Sequence, residues 1–196
     1  QTMSTNVEAN TIDKNEISIF IPSIKLNCSP ALKASFKTVN DSLTARLELK
    51  YKNESMLVEL ALNPFSNLLN KTEPLPYFAT LSFINFNVEN WTDFNNEHVL
   101  LDGQIKINGS NLFNYESRAK IAANLNGSVY NQITFHTLRL NGTYLNNSLD
   151  ASVKVGSYFA NALVSGKLRN ISKIPEYDVN IKTEDFDVTA FIPELE

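Results

Sequence analysis

Apolar residues recur at every second position along much of this 196-residue chain. Ile105 and Ile107 alternate with polar neighbours, and Val153 and Val155 do the same further along. Successive side chains of a β-strand point to opposite faces, so each such segment has one apolar face and one polar face. Half-buried strands of this kind are typical of antiparallel sheets. The pattern therefore predicts an all-β fold built from an elongated antiparallel array.

Turn-forming residues separate several of these alternating segments. Asn, Asp and Gly tolerate positive φ, which predicts turns at Asp102-Gly103, Asn108-Gly109, Asn126-Gly127 and Asn141-Gly142.

The remaining segments suggest little helix. The best short helix candidate is residues 63–69, with Asn63 predicted to cap it and Pro64 at its first position. Residues 1–14 are polar, and we expect them to be frayed.

The chain also contains one pattern twice. Residues 40–49 match 146–155 as Asn-x-Ser-Leu-x-Ala-x-aliphatic-charged-aliphatic, at an offset of 106. Residues 77–91 match 177–191 at an offset of 100. The change in offset places an insertion in the loop around residues 63–74, where extra residues cost little. Each copy predicts a hairpin around the Asn-x-Ser-Leu turn, followed by further strands that share a core with the next copy.

This repeat sets the predicted organisation of the chain. We expect a frayed N-terminal segment over residues 1–14, a first β repeat region over 15–100 and a second over 101–196. The two regions are expected to be continuous as one elongated domain.

Composition argues against several classes of function. The net charge of −4 and the lack of a basic block disfavour a nucleic-acid partner. Cys28 is the sole cysteine, and the two histidines lack zinc-ligand spacing. No Gly-rich phosphate loop or Gly-x-Ser-x-Gly elbow occurs. We therefore predict that the chain is not an enzyme and has no catalytic residue, metal site or cofactor.

Asparagine is unusually frequent, with 26 residues, ten of them in Asn-x-Ser/Thr triplets. One interpretation is a glycosylated eukaryotic ectodomain that binds lipid or protein. The other is an AT-rich bacterial genome that uses Asn at turns beside Ser and Thr. The second is favoured because ectodomains of this size usually carry disulfides.

The alternating pattern is compatible with two arrangements of the apolar faces. Two sheets could sandwich their apolar faces into a dry core. Alternatively, one sheet could curl into an open trough that holds acyl chains, since each CH₂ removed from water contributes about 0.8 kcal/mol.

One segment resembles a known repeat. Residues 133–150, with Leu138-Arg139-Leu140-Asn141-Gly142-Thr143-Tyr144, are similar to the repeating unit of TamB and the wider AsmA-like family. Residues 162–168 and 175–188 resemble the strands that complete that unit. The resemblance covers about residues 31 to 191.

The resemblance implies a fold and a function. It implies a curled β-taco with an apolar groove, in the periplasmic shaft of a protein anchored in the inner membrane. It implies a non-enzymatic module for phospholipid transport between the inner and outer membranes, which supports outer-membrane assembly. The expected partners are phospholipid acyl chains and, through regions outside this chain, an outer-membrane barrel.

A different function remains open beside it. A β-sandwich adhesin or glycan-binding module is suggested by the aromatic residues Trp91, Tyr115, Tyr130 and Tyr158 among Asn-rich turns.

Twenty apolar residues are predicted to line a groove or a core. They are Leu47, Leu49, Leu81, Phe83, Phe86, Val88, Ile105, Ile107, Ile121, Leu125, Ile133, Phe135, Leu138, Leu140, Val153, Val155, Val179, Ile181, Phe186 and Val188.

Overall fold

A computed structural model describes residues 2–13, 27–68, 73–92, 98–111, 117–171 and 174–185. The described strands are β1 (Thr2–Ala9), β2 (Ala31–Val39), β3 (Ser42–Tyr51), β4 (Glu54–Leu62), β5 (Tyr77–Asn87), β6 (Val99–Ser110), β7 (Arg118–Asn124), β8 (Val129–Tyr130), β9 (Ile133–Thr134), β10 (Thr137–Leu145), β11 (Ser148–Gly156), β12 (Asn161–Arg169) and β13 (Glu176–Glu184). Two short helices accompany them, a 3-10 helix at Phe65–Leu68 and α1 at Val88–Trp91.

All these strands belong to one antiparallel sheet. Its order is β1-β2-β3-β4-β5-β6-β7-β10-β11-β12-β13, and the small β8–β9 hairpin lies beside β6. β1 and β13 are the two edges, so the sheet is not closed into a barrel. Among the described elements, each strand contacts mainly its neighbours in the sheet. The exception is α1, which contacts β6. The all-β fold is confirmed, and the β-sandwich alternative is wrong for the described residues because their strands form a single layer.

Strand register aligns the apolar positions across the whole sheet. Residues directly opposite in an antiparallel pair place their side chains on the same face. One row of directly opposite residues crosses all eleven strands of the main path and is aliphatic throughout. This central row contains Val7, Ala34, Leu47, Val58, Leu81, Ile105, Ala123, Leu140, Val153, Val164 and Ile181.

The sequence repeat corresponds to two runs of four strands with the same order and register. β2–β5 form its first copy and β10–β13 its second, with Leu32 opposite Leu49 in one and Leu138 opposite Val155 in the other. Both hairpins turn at the predicted asparagine, where φ is 53° at Asn40 and 48° at Asn146. The inserted residues lie between β4 and β5, where the 3-10 helix forms.

Most of the predicted glycine turns are wrong. Asn126-Gly127 is a turn, but Asp102-Gly103 and Asn108-Gly109 lie within β6, and Asn141-Gly142 lies within β10. Tertiary pairing on both sides of these strands overrides the local turn preference. Gly103 instead sits beside a register shift in the pairing of β5 with β6, with φ of 125°.

The predicted frayed segment is also wrong for Thr2–Ala9, which forms β1. Its eight residues pair in register with β2, so the sheet supplies hydrogen bonds that the segment cannot make alone.

The short helix forms where it was predicted, but the contacts at its start come from Asp41 rather than from the predicted cap, Asn63. It begins at Phe65 as a 3-10 helix, and Asp41 anchors it. The Asp41 backbone carbonyl accepts a hydrogen bond from the Phe65 amide at 2.7 Å. The Asp41 carboxylate accepts others from the Ser66 amide at 2.8 Å and the Ser66 hydroxyl at 2.7 Å.

The most buried packing lies at one end of the first copy. Phe83, Phe86, Trp91 and Cys28 form a cluster against which Leu49, Met56 and Leu125 pack. The rings of Phe86 and Trp91 stack with centroids 4.9 Å apart. We call Cys28, Phe83, Phe86 and Trp91 the covering cluster, because α1 and the segment before β2 bring it over the apolar face.

A buried carboxylate holds α1 in this position. Glu54 is 6% exposed and accepts hydrogen bonds from Trp91 Nε1 at 2.7 Å and from Asn90 Nδ2 at 2.6 Å. The backbone amide of Asn87 also donates to it at 3.2 Å. β5 ends at Asn87, and Val88 begins α1.

Candidate functional site: the apolar face of the sheet

The apolar face is the side of the sheet that carries the central row and the rows parallel to it. Its middle strands are half-buried, because neighbouring aliphatic side chains shield one another. Exposure rises sharply at β13, where Tyr177 is 79%, Val179 55% and Ile181 63% exposed. Contiguous exposed apolar surface of this kind is typical of a binding surface.

Most of the predicted lining residues lie on this face. The central row contains Leu47, Leu81, Ile105, Leu140, Val153 and Ile181. The rows beside it contain Leu49, Phe83, Ile107, Ile121, Leu138, Val155 and Val179.

The other predicted residues divide into three groups. Phe86 belongs to the covering cluster, and Val88 and Leu125 pack against it. Ile133 lies in β9, with Phe135 just after it, outside the eleven-strand rows. The last two, Phe186 and Val188, lie outside the described residues.

Sequence reasoning missed five members of the central row: Val7, Ala34, Val58, Ala123 and Val164. β4 and β12 have apolar residues on both faces, such as Leu57 beside Val58 and Leu163 beside Val164. Strict alternation is lost in these strands. Only the repeat relates their central residues, because Val58 and Val164 are separated by 106 residues, the offset between the two copies.

A furrow runs across the second copy on this face. Its floor is the row of Gly142, Ala151 and Gly166, which are directly opposite one another in β10, β11 and β12. One wall is the central row, and the other is the row Tyr144, Leu149, Leu168 and Tyr177. Small residues therefore lie between two rows of large ones on this face, and we call this strip of the sheet the furrow.

The two glycines of this floor differ. A Cβ built on Gly166 would lie 2.7 Å from the backbone oxygen of Asp178, so the close approach of β13 requires glycine there, whereas Gly142 is not required by the backbone. A Cβ built on Gly142 would lie 3.5 Å from Ala151 Cβ, Asp150 O and Leu149 Cδ1, which is ordinary contact. Position 142 therefore accepts a side chain, which would project from the floor of the furrow.

The opposite face of the sheet is polar and carries paired charges in the first copy. Ion pairs join Lys33 with Glu8 at 2.8 Å, Arg46 with Glu59 at 3.1 Å and Lys50 with Glu48 at 2.8 Å. The hydrogen bond that Lys33 donates to Glu8 raises the pKa of Lys33, and the hydrogen bond that Lys50 donates to Glu48 lowers the pKa of Glu48.

The structure also places the groups considered for catalysis or metal binding. In the described part of the chain, no three His, Cys, Asp or Glu side chains come together. Cys28 is buried in the covering cluster. His98 lies 3.5 Å from Glu89, and His136 packs edge-on to Tyr158.

The described helices include none long and apolar enough to cross a membrane. Comparison with protein-family models, curated proteins and solved structures finds no significant match to this chain.

Proposed function

We propose that this chain is a non-enzymatic β module whose apolar face binds phospholipid acyl chains. The observation that carries the proposal is the central row, which is aliphatic across eleven strands and lies on a single-layer sheet. Strands are about 4.8 Å apart, so such a row extends roughly 48 Å across the sheet.

The furrow in the second copy suits one acyl chain. It crosses from Ile121 in β7 to Val179 in β13, four strand spacings or about 19 Å. One leaflet of a bilayer has a hydrocarbon depth of about 15 Å, half of the usual 30 Å. A chain of that length fits the furrow, and each CH₂ removed from water there contributes about 0.8 kcal/mol.

The wider role follows the family resemblance and is part of the same proposal. A row that continues from strand to strand provides a continuous apolar surface, as a conduit for lipid between two membranes requires. In this proposal the chain is a piece of the periplasmic shaft of a TamB-like protein that supports outer-membrane assembly. The ordinary packing of a core explains the covering cluster, so lipid contact is assigned to the second copy.

A lipid-binding assay with matched variants tests the proposal. The purified chain is expected to carry phospholipid that mass spectrometry detects after organic extraction, and to bind an added fluorescent phospholipid. Leu140→Asp places a charge in the central row and should abolish both. The control Asn141→Asp adds the same charge one residue further along β10, on the polar face, and should bind lipid as the unaltered chain does.

A second variant separates blockage from unfolding. Gly142→Phe fills the furrow without demanding an unusual backbone conformation. It should retain the β-sheet circular dichroism spectrum but lose phospholipid. If both Leu140→Asp and Gly142→Phe fold and bind lipid like the unaltered chain, the proposal is wrong.

A further inference from the structure

We propose that the polar face of the second copy is a binding site for an acidic oligosaccharide, that is, a chain of sugars bearing phosphate, sulfate or carboxylate groups. The site is a cavity of about 1030 Å³ that spans β6, β7, β10, β11 and β12. Its polar lining side chains, such as Lys120, Asn141 and Ser152, point to the side of the strands opposite the furrow. The cavity is also lined by Ile121, Gly142, Leu149, Ala151 and Leu168, the residues that alternate with them along the same strands.

The floor of this cavity is made of small polar side chains. Asn141, Ser152 and Ser165 are directly opposite one another in β10, β11 and β12, and all three line the cavity. Hydroxyl and amide groups both donate and accept hydrogen bonds, which matches the hydroxyl groups of a sugar. We call these three residues the polar floor.

Comparison of the two copies shows why this floor is open. Ser152 and Ser165 correspond, at the offset of 106, to Arg46 and Glu59 in the first copy. There the two long side chains form an ion pair across the equivalent strands. Replacing this pair by two serines removes the side chains that would otherwise occupy the space above the sheet.

One side of the cavity carries concentrated positive charge. Lys106 and Lys120 line it, and Arg118 lies beside Lys120 on the same face of β7. Lys106 and Lys120 are diagonal neighbours, whose Cα atoms are about 7–8 Å apart. Arg118 and Lys120 are two residues apart, or about 7 Å. We call these three residues the cationic wall.

The cationic wall has no acidic cross-strand neighbour. Lys106 is opposite Thr80 and Ala122, Lys120 is opposite Asn108 and Thr143, and Arg118 is opposite Ser110 and Leu145. Like charges this close repel one another, so an anion bound between them is favoured.

The far side of the cavity is balanced in charge. Lys167 pairs with Asp150 at 3.3 Å, and Arg169 is directly opposite Glu176 in β13. The anionic group of the ligand is therefore assigned to the cationic wall. From β7 to β12 there are three strand spacings, about 14 Å, which requires an oligosaccharide rather than a single sugar to cross the floor.

Titration with a heparin-derived tetrasaccharide, followed by amide NMR shifts, tests this assignment. The shifts should map to β6, β7 and β10–β12. Lys106→Gln with Lys120→Gln should weaken binding by about tenfold or more, because charge-assisted hydrogen bonds are lost. The control Lys33→Gln with Lys50→Gln removes two cations from the same face of the first copy, where both are ion-paired, and should leave binding unchanged.

Three further probes distinguish the ligand class. Chitotetraose, a neutral tetrasaccharide, should bind much more weakly than the acidic one, and so should inorganic sulfate, which cannot reach the floor. Single-stranded DNA should not displace the tetrasaccharide at equal charge. Equal binding of sulfate or DNA, or equal loss in the control double variant, would overturn the assignment. All of the variants are tested for lipid binding too, and it should be unaffected.

Discussion

The first and second copies of the repeat share a strand register but differ in what covers their apolar faces. In the first copy, Leu49, Met56 and Phe83 form a row against which the covering cluster packs. The equivalent residues in the second copy are Val155, Ala162 and Thr183, which are smaller. Among the described residues, the same register therefore carries a buried aromatic cluster in the first copy and smaller residues at the equivalent positions in the second.

The polar faces of the two copies differ in a parallel way. Arg46 and Glu59 form an ion pair in the first copy and line a cavity of about 350 Å³, whereas Ser152 and Ser165 line one of about 1030 Å³ in the second. Backbone register determines where side chains lie, while a few substitutions determine whether a face is packed or left open. The first copy stabilises the sheet, and the second presents both of its faces.

The largest expected effect of a substitution is at the centre of the covering cluster. Trp91 is 2% exposed, so Trp91→Ala should lower the free energy of unfolding by about 3–5 kcal/mol. Ile181→Ala in the exposed row of the second copy should change it by about 0.5 kcal/mol or less. Urea denaturation measures both. Equal effects would show that the two copies are equally packed.

The next largest loss of folding stability is expected from substitution of Glu54. Glu54→Gln places an amide where three donors now converge, so at least one buried donor loses its acceptor. The expected loss is about 1–3 kcal/mol. The matched change Glu59→Gln, in the exposed pair with Arg46, should cost about 1 kcal/mol or less by the same denaturation measurement. A smaller effect at Glu54 than at Glu59 would contradict the role assigned to the buried carboxylate.

Replacing two polar-floor serines by the corresponding residues of the first copy should change tetrasaccharide affinity more than the free energy of unfolding. Ser152→Arg with Ser165→Glu recreates the first copy's ion pair over the polar floor and should reduce tetrasaccharide affinity by about tenfold. Stability should change by about 1 kcal/mol or less, as for other surface pairs. Calorimetric titration and urea denaturation of the same preparation measure the two effects. Undiminished binding would show that the cavity is not the site.

The smallest expected effect is a pH response confined to the first copy. Hydrogen bonds from Ser66 hold the pKa of Asp41 below its ordinary value of 3.8. The ionised form therefore stabilises the fold above that value, and the contribution disappears as the pH falls through the lowered pKa. The Ser66 amide should shift in an NMR titration below pH 3.8.

The second copy supplies the internal control for this titration. Its equivalent of Asp41 is Asn147, which does not titrate, and the Asn147 carbonyl accepts a hydrogen bond from the Ile171 amide at 3.3 Å. The Ile171 amide should stay unshifted where that of Ser66 moves, and Asp41→Asn should remove the Ser66 response. Joint movement of both amides would point to general acid unfolding instead.

The asparagine content finds a partial explanation in the turns. Seven of the ten described non-glycine residues with positive φ are asparagines, including Asn40, Asn146 and Asn170 of the Asn-x-Ser/Thr triplets. Asparagine adopts this left-handed conformation more readily than most residues. The structure thus supports the turn interpretation for these positions, and glycosylation is not needed to explain them.

Much of the sheet could be predicted because alternation is a local signal. It identified β3, β6, β10 and β11, and the repeat identified the two hairpins. β1 was missed because its residues are mostly polar and only pairing with β2 orders them. α1 was missed because four residues carry no helical period.

The site was only partly predictable, for a related reason. Which face each apolar residue occupies follows from alternation, but the covering cluster joins Cys28 to Trp91 across more than sixty residues of sequence. The cavity depends on the size of Ser152 and Ser165 relative to Arg46 and Glu59. Such effects require the paired strands to be known, and the resemblance to the TamB and AsmA-like repeat stays a prediction.

The most direct test of the account uses one pair of neighbouring residues in β12. Val164 lies in the central row on the apolar face, and Leu163 lies on the polar face and is 43% exposed. Methyl NMR with a spin-labelled phospholipid should broaden the Val164 signals and leave those of Leu163 sharp. Equal broadening of both methyl groups, or broadening of neither, would contradict the claim that the apolar face of the second copy binds lipid.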